Sequence, residues 1–372
     1  MAISAIITCS AYFLIKSGSG NSFPTYLLAL AMVPLFALQA RALMVDWAVT
    51  GLTALFLVYM ALSTAWSTSD EIVMKSLAEA LLVFTFCLSI PMSVQRFHWF
   101  LNTLVVLVIL AAFVNCGYSI YLHFALPDYQ PLPEPRLYSL GRLSNPVVGS
   151  LSYGFATVLA VYMMMTEERR VAKTGYALAV LLFLWAIVLT GSRGAYLALA
   201  AGVCLGVFLR YPGKLKIQML GVVMTLAALS LIAYLFLGPE LLFKRALSFR
   251  PEIWTEFVSR TMAGNIWIGA GMATDSTFQM PELLIKHPHS IFVATFYYGG
   301  VLGLLTYLAM IAKSMFSLHQ HKESSLRLLG AMLLAFGLTA TALDGDEIVT
   351  KVNYLWLLIW LPVGIAMVRS PA

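Results

Sequence analysis

The sequence predicts an all-α integral membrane protein of about twelve transmembrane helices, with one larger loop outside the bilayer. Of its 372 residues, 60% are hydrophobic and only 11% are charged, whereas soluble domains carry about 25% charged residues. The charges cluster in short segments between long apolar runs, and most of these runs reach the roughly 17–25 residues that cross a bilayer. Together these observations indicate a polytopic membrane protein.

The apolar runs divide the chain into twelve predicted spans, of which the first, seventh and eighth are the shortest. No A-x-A-type cleavage site follows the first run, so we interpret it as a retained helix and not as a signal peptide. The expected organisation is nine spans in residues 1–238, a loop in 239–289 and three spans in 290–372. The predicted spans are 2–15, 24–40, 43–65, 72–92, 98–122, 147–166, 174–190, 194–209, 215–238, 290–312, 325–343 and 350–368.

The distribution of basic residues predicts the orientation. With the N-terminus in the cytoplasm, the short outer loops contain only Lys16, Arg193 and Lys351. This bias follows the positive-inside rule and predicts a multi-pass protein of the bacterial inner membrane with both termini in the cytoplasm. The net charge of +6 therefore reports topology and does not indicate a nucleic-acid partner. The short cytoplasmic segments hold Arg41, Arg96, Arg169, Arg170, Lys173, Arg210, Lys214, Lys216, Lys313, Lys322, Arg327 and Arg369.

Several classes of site are disfavoured by the sequence. The four cysteines fall inside predicted spans without a C-x-x-C pair, which argues against a disulfide framework or a zinc site. No nucleotide-binding motif is visible, so we expect no cofactor. ATP and nucleotide sugars are not normally available outside the inner membrane. A transfer enzyme working there needs a donor delivered within the membrane, and a lipid diphosphate meets that need.

Two predicted outer loops are long. The first, 123–146, contains five prolines and is expected to follow an extended or turning path. In the second, 239–289, Pro251 is expected to open a helix and Gly264-Asn265 to close it. Its apolar face predicts an amphipathic helix lying in the membrane interface, with Glu256 and Arg260 paired on the other face. This apolar face consists of Ile253, Trp254, Phe257 and Val258.

Two arginines on the predicted outer side are candidate anion ligands. Arg193 lies in the tight turn Gly191-Ser192-Arg193-Gly194, and Arg250 directly precedes the helix opened by Pro251. A guanidinium fork suits phosphate, and a helix N-terminus adds free N–H groups. The simpler interpretations are a snorkelling topology residue for Arg193 and an exposed loop residue for Arg250. Secondary candidates are Arg245, Arg136 and Arg142.

Histidines and carboxylates on the same predicted side offer further chemistry. His287-Pro288-His289 directly precedes the tenth span, and histidine can move a proton near neutral pH. The alternatives are interfacial capping or a zinc site, but a third nearby His or Cys ligand is missing from the sequence. The acidic segments Asp70-Glu71 and Asp344-Gly345-Asp346-Glu347 could bind a divalent cation. More simply, they are acidic outer loops that fit the charge asymmetry.

Three segments in order resemble the O-antigen ligase and polymerase superfamily. LTGSRGA at 189–195 is similar to the family's arginine hairpin. FRPEIWTEF at 249–257, followed by IGAGMATD at 268–275, resembles its R-x-x-x-W segment and Gly-x-Gly turn. HPHSIFVATFYYGGVLGLLTYL at 287–308 resembles the histidine segment that enters a helix. The resemblance covers about 185–310; Ser290 stands where many relatives have asparagine, and the long outer loop is short for a ligase.

The resemblance implies a GT-C-like fold and a metal-independent, inverting membrane glycosyltransferase of lipopolysaccharide biosynthesis with a periplasmic active site. The donor would be a glycan on undecaprenyl diphosphate, and the ligase-branch acceptor the lipid A–core oligosaccharide. Arg193 and Arg250 would hold the diphosphate, and His289 would be the base, with His287 as a secondary candidate. The alternatives are a polysaccharide polymerase, a protein O-oligosaccharyltransferase or, in another class, a lipid-linked glycan flippase.

Overall fold

The computed structural model describes most of the chain. The described residues are 2–16, 23–27, 44–69, 72–126, 136–221, 225, 249–280, 283–321, 324–346 and 348–369.

Helices make up almost all of the described secondary structure. A two-stranded antiparallel hairpin, β1 (Phe278–Met280) and β2 (Leu283–Ile285), is a small departure from the predicted all-α class. A π-helical turn, Trp356–Trp360, leads into the last helix. The helices are α1 (Ala2–Leu14), α2 (Trp47–Ser63), α3 (Val73–Arg96), α4 (Phe100–Ala125), α5 (Pro146–Thr166), α6 (Arg170–Thr190), α7 (Arg193–Arg210), α8 (Arg250–Ala263), α9 (Ile291–Gln320), α10 (Ser324–Leu343) and α11 (Leu361–Ala366).

Eight of the helices in the described part of the chain are long and apolar enough to cross a membrane. They are α2 to α7, α9 and α10, and each overlaps a predicted span. The first predicted span corresponds to the short helix α1, while most of 24–40 and 215–238 lies outside the described residues. The predicted span 350–368 is wrong at its start, because Asn353 caps the following turn through its side chain and residues 350–353 are not helical. The total of twelve spans therefore stays a prediction.

The bundle has a dense interior and an apolar exterior. Helix α7 packs along α10, α5 along α6, and α2 along α9. Trp356 and Trp360 are among the largest fully buried side chains. Leu178, Leu181 and Trp185 of α6 nevertheless face outward and are exposed. Exposed apolar side chains along a 21-residue helix are typical of a surface that faces lipid.

Helix α9 is broken at Gly300, whose φ of 63° lies in the left-handed region. The segment Ile266–Gly271 fills the break. The Ala270 N–H donates to the Tyr297 carbonyl at 2.8 Å, and the Val301 N–H donates to the Ile266 carbonyl at 2.9 Å. A Cβ on Gly300 would overlap the Trp267 backbone. The segment that contains the Gly-x-Gly turn thus pairs with α9 on both sides of Gly300 and satisfies backbone groups that a helix break leaves open.

Helix α8 lies against α9 through its apolar face. It begins at Arg250 with Pro251 in its first turn and ends at the Gly264 cap, as predicted. Phe257 is fully buried, and its ring centroid lies 4.9 Å from that of Tyr297 in α9. Much of its apolar face packs on protein, and its position in the membrane interface stays a prediction. The predicted pair is confirmed: Arg260 Nε lies 2.8 Å from Glu256 Oε1.

Candidate active site

His289 lies in the short connection between β2 and α9 and has an unusual backbone. Its φ of 53° makes it the single non-glycine residue with a positive φ in the described part of the chain. Such a conformation is uncommon outside glycine, and at a reactive side chain it indicates a functional constraint. Its Nδ1 atom lies 2.8 Å from Asp344 Oδ1. The strained backbone and the carboxylate together fix the direction of the imidazole ring.

The end of α10 positions Asp344. The Asp344 N–H donates to the Ala340 carbonyl at 3.0 Å, which extends the last helical turn by one residue. Gly345 then lies so close to the first turn of α9 that a Cβ would be 2.9 Å from the Ile291 nitrogen. A larger residue at 345 would push the two chain segments apart. This close approach brings the Asp344 carboxylate to His289 across 55 positions of sequence.

The segment after Asp344 is packed into the molecule. Ile348 and Val349 are buried. The carbonyls of Ile348 and Thr350 accept the indole N–H groups of Trp360 and Trp356 at 3.2 and 3.1 Å. Asp344 is itself buried and paired with His289, which distinguishes it from an exposed loop residue, and the outer location of this stretch stays a prediction. The sequence carried no local signal for its pairing with His289, because neither residue type nor spacing connects two distant segments.

The His289–Asp344 pair has the geometry of an oriented base. A carboxylate can only accept at this contact, so Nδ1 carries the hydrogen and donates it to Asp344. The second ring nitrogen, Nε2, then carries the lone pair. If Nε2 takes a proton, the nearby carboxylate stabilises the resulting imidazolium. This arrangement suits removal of a proton from a hydroxyl group.

His287 lies against His289, with 3.8 Å between the two ring centroids. Its Nδ1 atom is buried and has no hydrogen-bond partner among the described residues. Burial, followed by the neighbouring His289, lowers the pKa of His287 to about 4. His287 is therefore neutral at physiological pH. It lies before α9, as expected, and lines the same cavity as His289.

These side chains surround one cavity of about 300 Å³, which we call the His289 cavity. Arg250, at the start of α8, contributes a cation to its wall. The structure thus brings together Arg250, His287 and His289, three of the residues selected from the sequence. The cavity is lined by Asn145, Val147, Val148, Arg250, His287, His289, Asp344, Asp346, Thr350, Asn353, Tyr354 and Leu355.

Arg193 is not among the residues that line the His289 cavity. It is exposed and is the first residue of α7. The next residue, Gly194, packs against Leu343: a Cβ there would lie 3.6 Å from the Leu343 side chain. Because Leu343 directly precedes Asp344, Arg193 belongs to the same end of the bundle as the cavity.

The secondary arginine candidates have separate surroundings. Arg136 Nε donates to the Thr190 carbonyl at 2.6 Å, beside the turn that carries Arg193. Arg142 lies over the Tyr12 ring, with 5.8 Å from Cζ to the centroid. Arg245 lies outside the described residues. Neither Arg136 nor Arg142 lines the His289 cavity.

The candidate cation ligands are only partly described. Asp70, Glu71 and Glu347 lie outside the described residues. Among the described residues, no group of three or more His, Cys, Asp or Glu side chains is arranged to hold a metal ion. In the described part of the chain, Arg250 is the one Lys or Arg side chain that lines the cavity.

Comparison with known proteins gives two matches. Residues 178–308 match the family described as O-antigen ligase. The chain is also 28% identical over 315 residues to an O-antigen ligase of Pseudomonas aeruginosa, with 82% of this chain and 74% of that protein covered. The resemblance drawn from the sequence motifs is thereby confirmed. The family match runs from α6 into α9, so it includes Arg193, Arg250 and His289, and it supports a membrane glycan-transfer function.

Proposed function

We propose that this relative of the O-antigen ligases is a glycosyltransferase that moves a glycan from undecaprenyl diphosphate to a hydroxyl group of the lipid A–core oligosaccharide. The reaction takes place on the periplasmic face of the bacterial inner membrane. The observation that carries this function is the His289–Asp344 pair, 2.8 Å apart, in a cavity that also contains Arg250. The cavity thus has a base, a carboxylate that orients the base, and a cation suited to phosphate in its wall.

The reaction balances as a single displacement. His289 Nε2 takes the proton of the acceptor hydroxyl while its oxygen attacks the anomeric carbon of the donor sugar. The bond from that carbon to the phosphate oxygen breaks, and the diphosphate leaves with the electron pair. Attack opposite the leaving group inverts the anomeric configuration. Asp344 stabilises the imidazolium formed at His289.

Arginines take the place of a metal ion in this scheme. Arg250 in the cavity wall binds the diphosphate, and Arg193 at the same end of the bundle binds the part that extends outward. Charge-assisted contacts to a guanidinium fork offset the charge that develops on the leaving group. Transfer by the purified protein should therefore persist in excess EDTA. Loss of activity that magnesium or manganese restores would instead favour a carboxylate–metal site.

The rival functions differ in acceptor or in class. A polymerase or a protein O-oligosaccharyltransferase would use the same donor chemistry with a growing glycan or a protein hydroxyl as acceptor. The matched family and relative favour the ligase branch. A flippase is expected to carry charges near the bilayer midplane. Here Arg250, His289 and Asp344 lie at helix ends, which favours an enzyme.

Deletion of the gene tests this function and separates the alternatives. A ligase mutant should lack long glycans on lipopolysaccharide and keep them on the carrier lipid. A polymerase mutant should attach only single repeat units, and a flippase mutant should hold donor lipid in the cytoplasmic leaflet. Wild-type protein should restore the lost products, and an equally expressed His289→Ala variant should not. Unchanged lipopolysaccharide and carrier-bound glycans in the deletion strain would refute the function.

A further inference from the structure

Two asparagines in the wall of the His289 cavity share one geometry, although they belong to different parts of the chain. Asn145 Oδ1 accepts the Val147 N–H at 2.8 Å at the start of α5. Asn353 Oδ1 accepts the Leu355 N–H at 2.9 Å, just before the π-helical turn. In each case the side-chain oxygen caps the backbone two residues ahead. Both residues line the cavity with His289 and Arg250.

This capping fixes which end of each carboxamide is available to a ligand. A backbone N–H can donate only to the oxygen of the amide, so the hydrogen bond determines the orientation of the group. The carboxamide is planar, and its NH₂ group is therefore directed away from the backbone that the oxygen caps. Each asparagine keeps two N–H donors free of its own cap. The cavity wall thus contains two oriented, uncharged NH₂ groups.

The surroundings of the amides suit a sugar better than a phosphate. Val147 and Leu355, whose N–H groups the caps bind, also line the cavity, as does Val148. Neutral amides beside apolar side chains match a sugar ring, which has hydroxyl or acetamido oxygens at its edges and C–H groups on its faces. The cation in the same wall is Arg250, which is the better match for a diphosphate.

The size of the cavity limits how much glycan it can hold. Its volume of about 300 Å³ lies at the lower end of the roughly 300–1,000 Å³ typical of ligand sites. It therefore has room for a small part of a glycan only. If Arg250 binds the diphosphate, the sugar bonded directly to that diphosphate must lie next to it. This is the sugar whose anomeric carbon reacts.

We propose that Asn145 and Asn353 form a sugar-binding subsite, in which their NH₂ groups donate to oxygens of the donor sugar that is bonded to the diphosphate. This inference rests on the proposed function and deepens it. The two amides hold the reacting ring between Arg250 and His289 and select donors by the oxygen atoms of that ring.

Substitution by aspartate separates this role from helix capping. In Asn145→Asp and Asn353→Asp, a carboxylate oxygen still caps the backbone, but the NH₂ donors become an anionic acceptor. We expect normal folding and a loss of about tenfold or more in kcat/KM for the lipid-linked donor, carried mainly by KM. Substitution by serine keeps an oxygen for the cap, removes the NH₂ group and adds no charge. It should lower kcat/KM for the lipid-linked donor roughly three- to tenfold.

Asn265 provides a matched control. Its Oδ1 caps the N–H groups of Trp267 and Ile268 at 3.1 and 3.3 Å, but it does not line the His289 cavity. Asn265→Asp should therefore keep the wild-type kcat/KM. Thermal unfolding of all the purified variants reports whether the caps are intact.

Kinetics with donor analogues distinguish sugar binding from helix capping, because loss of a cap would affect all donors alike. A synthetic lipid diphosphate donor lacking one hydroxyl or acetamido group on the first sugar should be a poorer substrate for the wild type. In the serine variant that lacks the amide contacting that group, use of the same analogue should lower kcat/KM by a smaller factor than it does in the wild type. Wild-type kinetics in both aspartate variants, or equal losses with every analogue in all proteins, would overturn the subsite. Absence of transfer by the wild-type protein would instead refute the proposed function itself.

Discussion

The two ends of the helical bundle both contain a cavity with histidine in its wall, but they differ in size and organisation. Helix α9 connects them, because His289 precedes its first residue and His321 follows its last. The His289 cavity measures about 300 Å³. The cavity at the other end, which we call the His321 cavity, measures about 890 Å³. The larger cavity therefore lies at the end of the molecule opposite to the end that contains the His289–Asp344 pair.

Charged groups at the His321 end cap and connect helices. Glu167 Oε1 accepts the N–H groups of Glu168 and Arg169 at 2.9 and 3.0 Å in the turn before α6. Asp46 caps α2 and also pairs with Lys313 at 2.8 Å. At the His289 end, by contrast, a carboxylate orients a histidine with a strained backbone. The hydrogen-bond partners of the titratable side chains therefore distinguish the two cavities more clearly than the volumes of the cavities do.

The largest difference between the two ends is expected from removal of the base. His289→Ala should lower turnover by roughly 10²–10⁴-fold, the usual range for a positioned base, and should still bind the lipid-linked donor because the arginines remain. His98, which is exposed and lines the His321 cavity, is the matched control. His98→Ala should transfer glycan at the wild-type rate. Equal losses in the two variants would contradict the assignment of the reactive end.

A second contrast concerns the two carboxylates. Asp344→Asn keeps the size of the side chain but removes the charge that supports the His289 imidazolium. A buried charge-assisted hydrogen bond contributes up to about 3 kcal/mol, so turnover should fall by roughly a hundredfold. Asp46→Asn at the other end should leave turnover unchanged and cost about 1 kcal/mol of stability, because its pair with Lys313 is partly exposed. Normal turnover in Asp344→Asn would show that the pair does not support catalysis.

A third contrast concerns the arginines at the two ends. Arg250→Lys and Arg193→Lys each keep the charge but lose the planar fork, so each should lower transfer by about ten- to a hundredfold. Arg169→Lys in the wall of the His321 cavity is the control and should have no effect. Initial rates with purified lipid-linked donor measure all three. A normal rate for Arg193→Lys would mean that the diphosphate does not extend beyond the cavity.

Several features of the fold and the site follow from local sequence signals. The eight long helices were predictable because each apolar run is bounded by charged, proline or glycine residues. Helix α8 was predictable from Pro251 and Gly264, and the selection of Arg250 and His289 depended on their positions beside helix ends. These signals act over a few residues, which is the range that periodicity and capping report.

The remaining features depend on contacts between distant segments. The approach of Gly345 to Ile291 brings Asp344 to His289, and nothing within either segment encodes the other. The break at Gly300 needs the loop at 266–271 to satisfy its backbone, so the apolar sequence alone predicts an unbroken helix. The positive φ of His289 is likewise not predictable from the sequence, because histidine seldom adopts this conformation. These details depend on tertiary contacts, whereas the helices follow from local sequence preferences.

The smallest expected effect concerns the second histidine of the reactive end. The pKa of His287 is lowered to about 4 in the folded protein, against about 6.5 in an unfolded chain. Between these values the unfolded state binds more protons than the native state, so stability falls as the pH falls from about 6.5 towards 4.

The change His287→Phe keeps a flat ring against His289 but removes this titration. Between pH 7 and pH 5 the variant should lose about 1–2 kcal/mol less stability than the wild type. Its turnover at neutral pH should change only a few-fold, because the lowered pKa makes His287 a weak base that takes up little of the acceptor's proton. Thermal unfolding midpoints of both proteins in detergent across this pH range measure the difference, with His98→Phe as the control at the other end. Parallel pH profiles for wild type and His287→Phe would mean that His287 is accessible to protons in the native state, and a complete loss of turnover would make His287 the base.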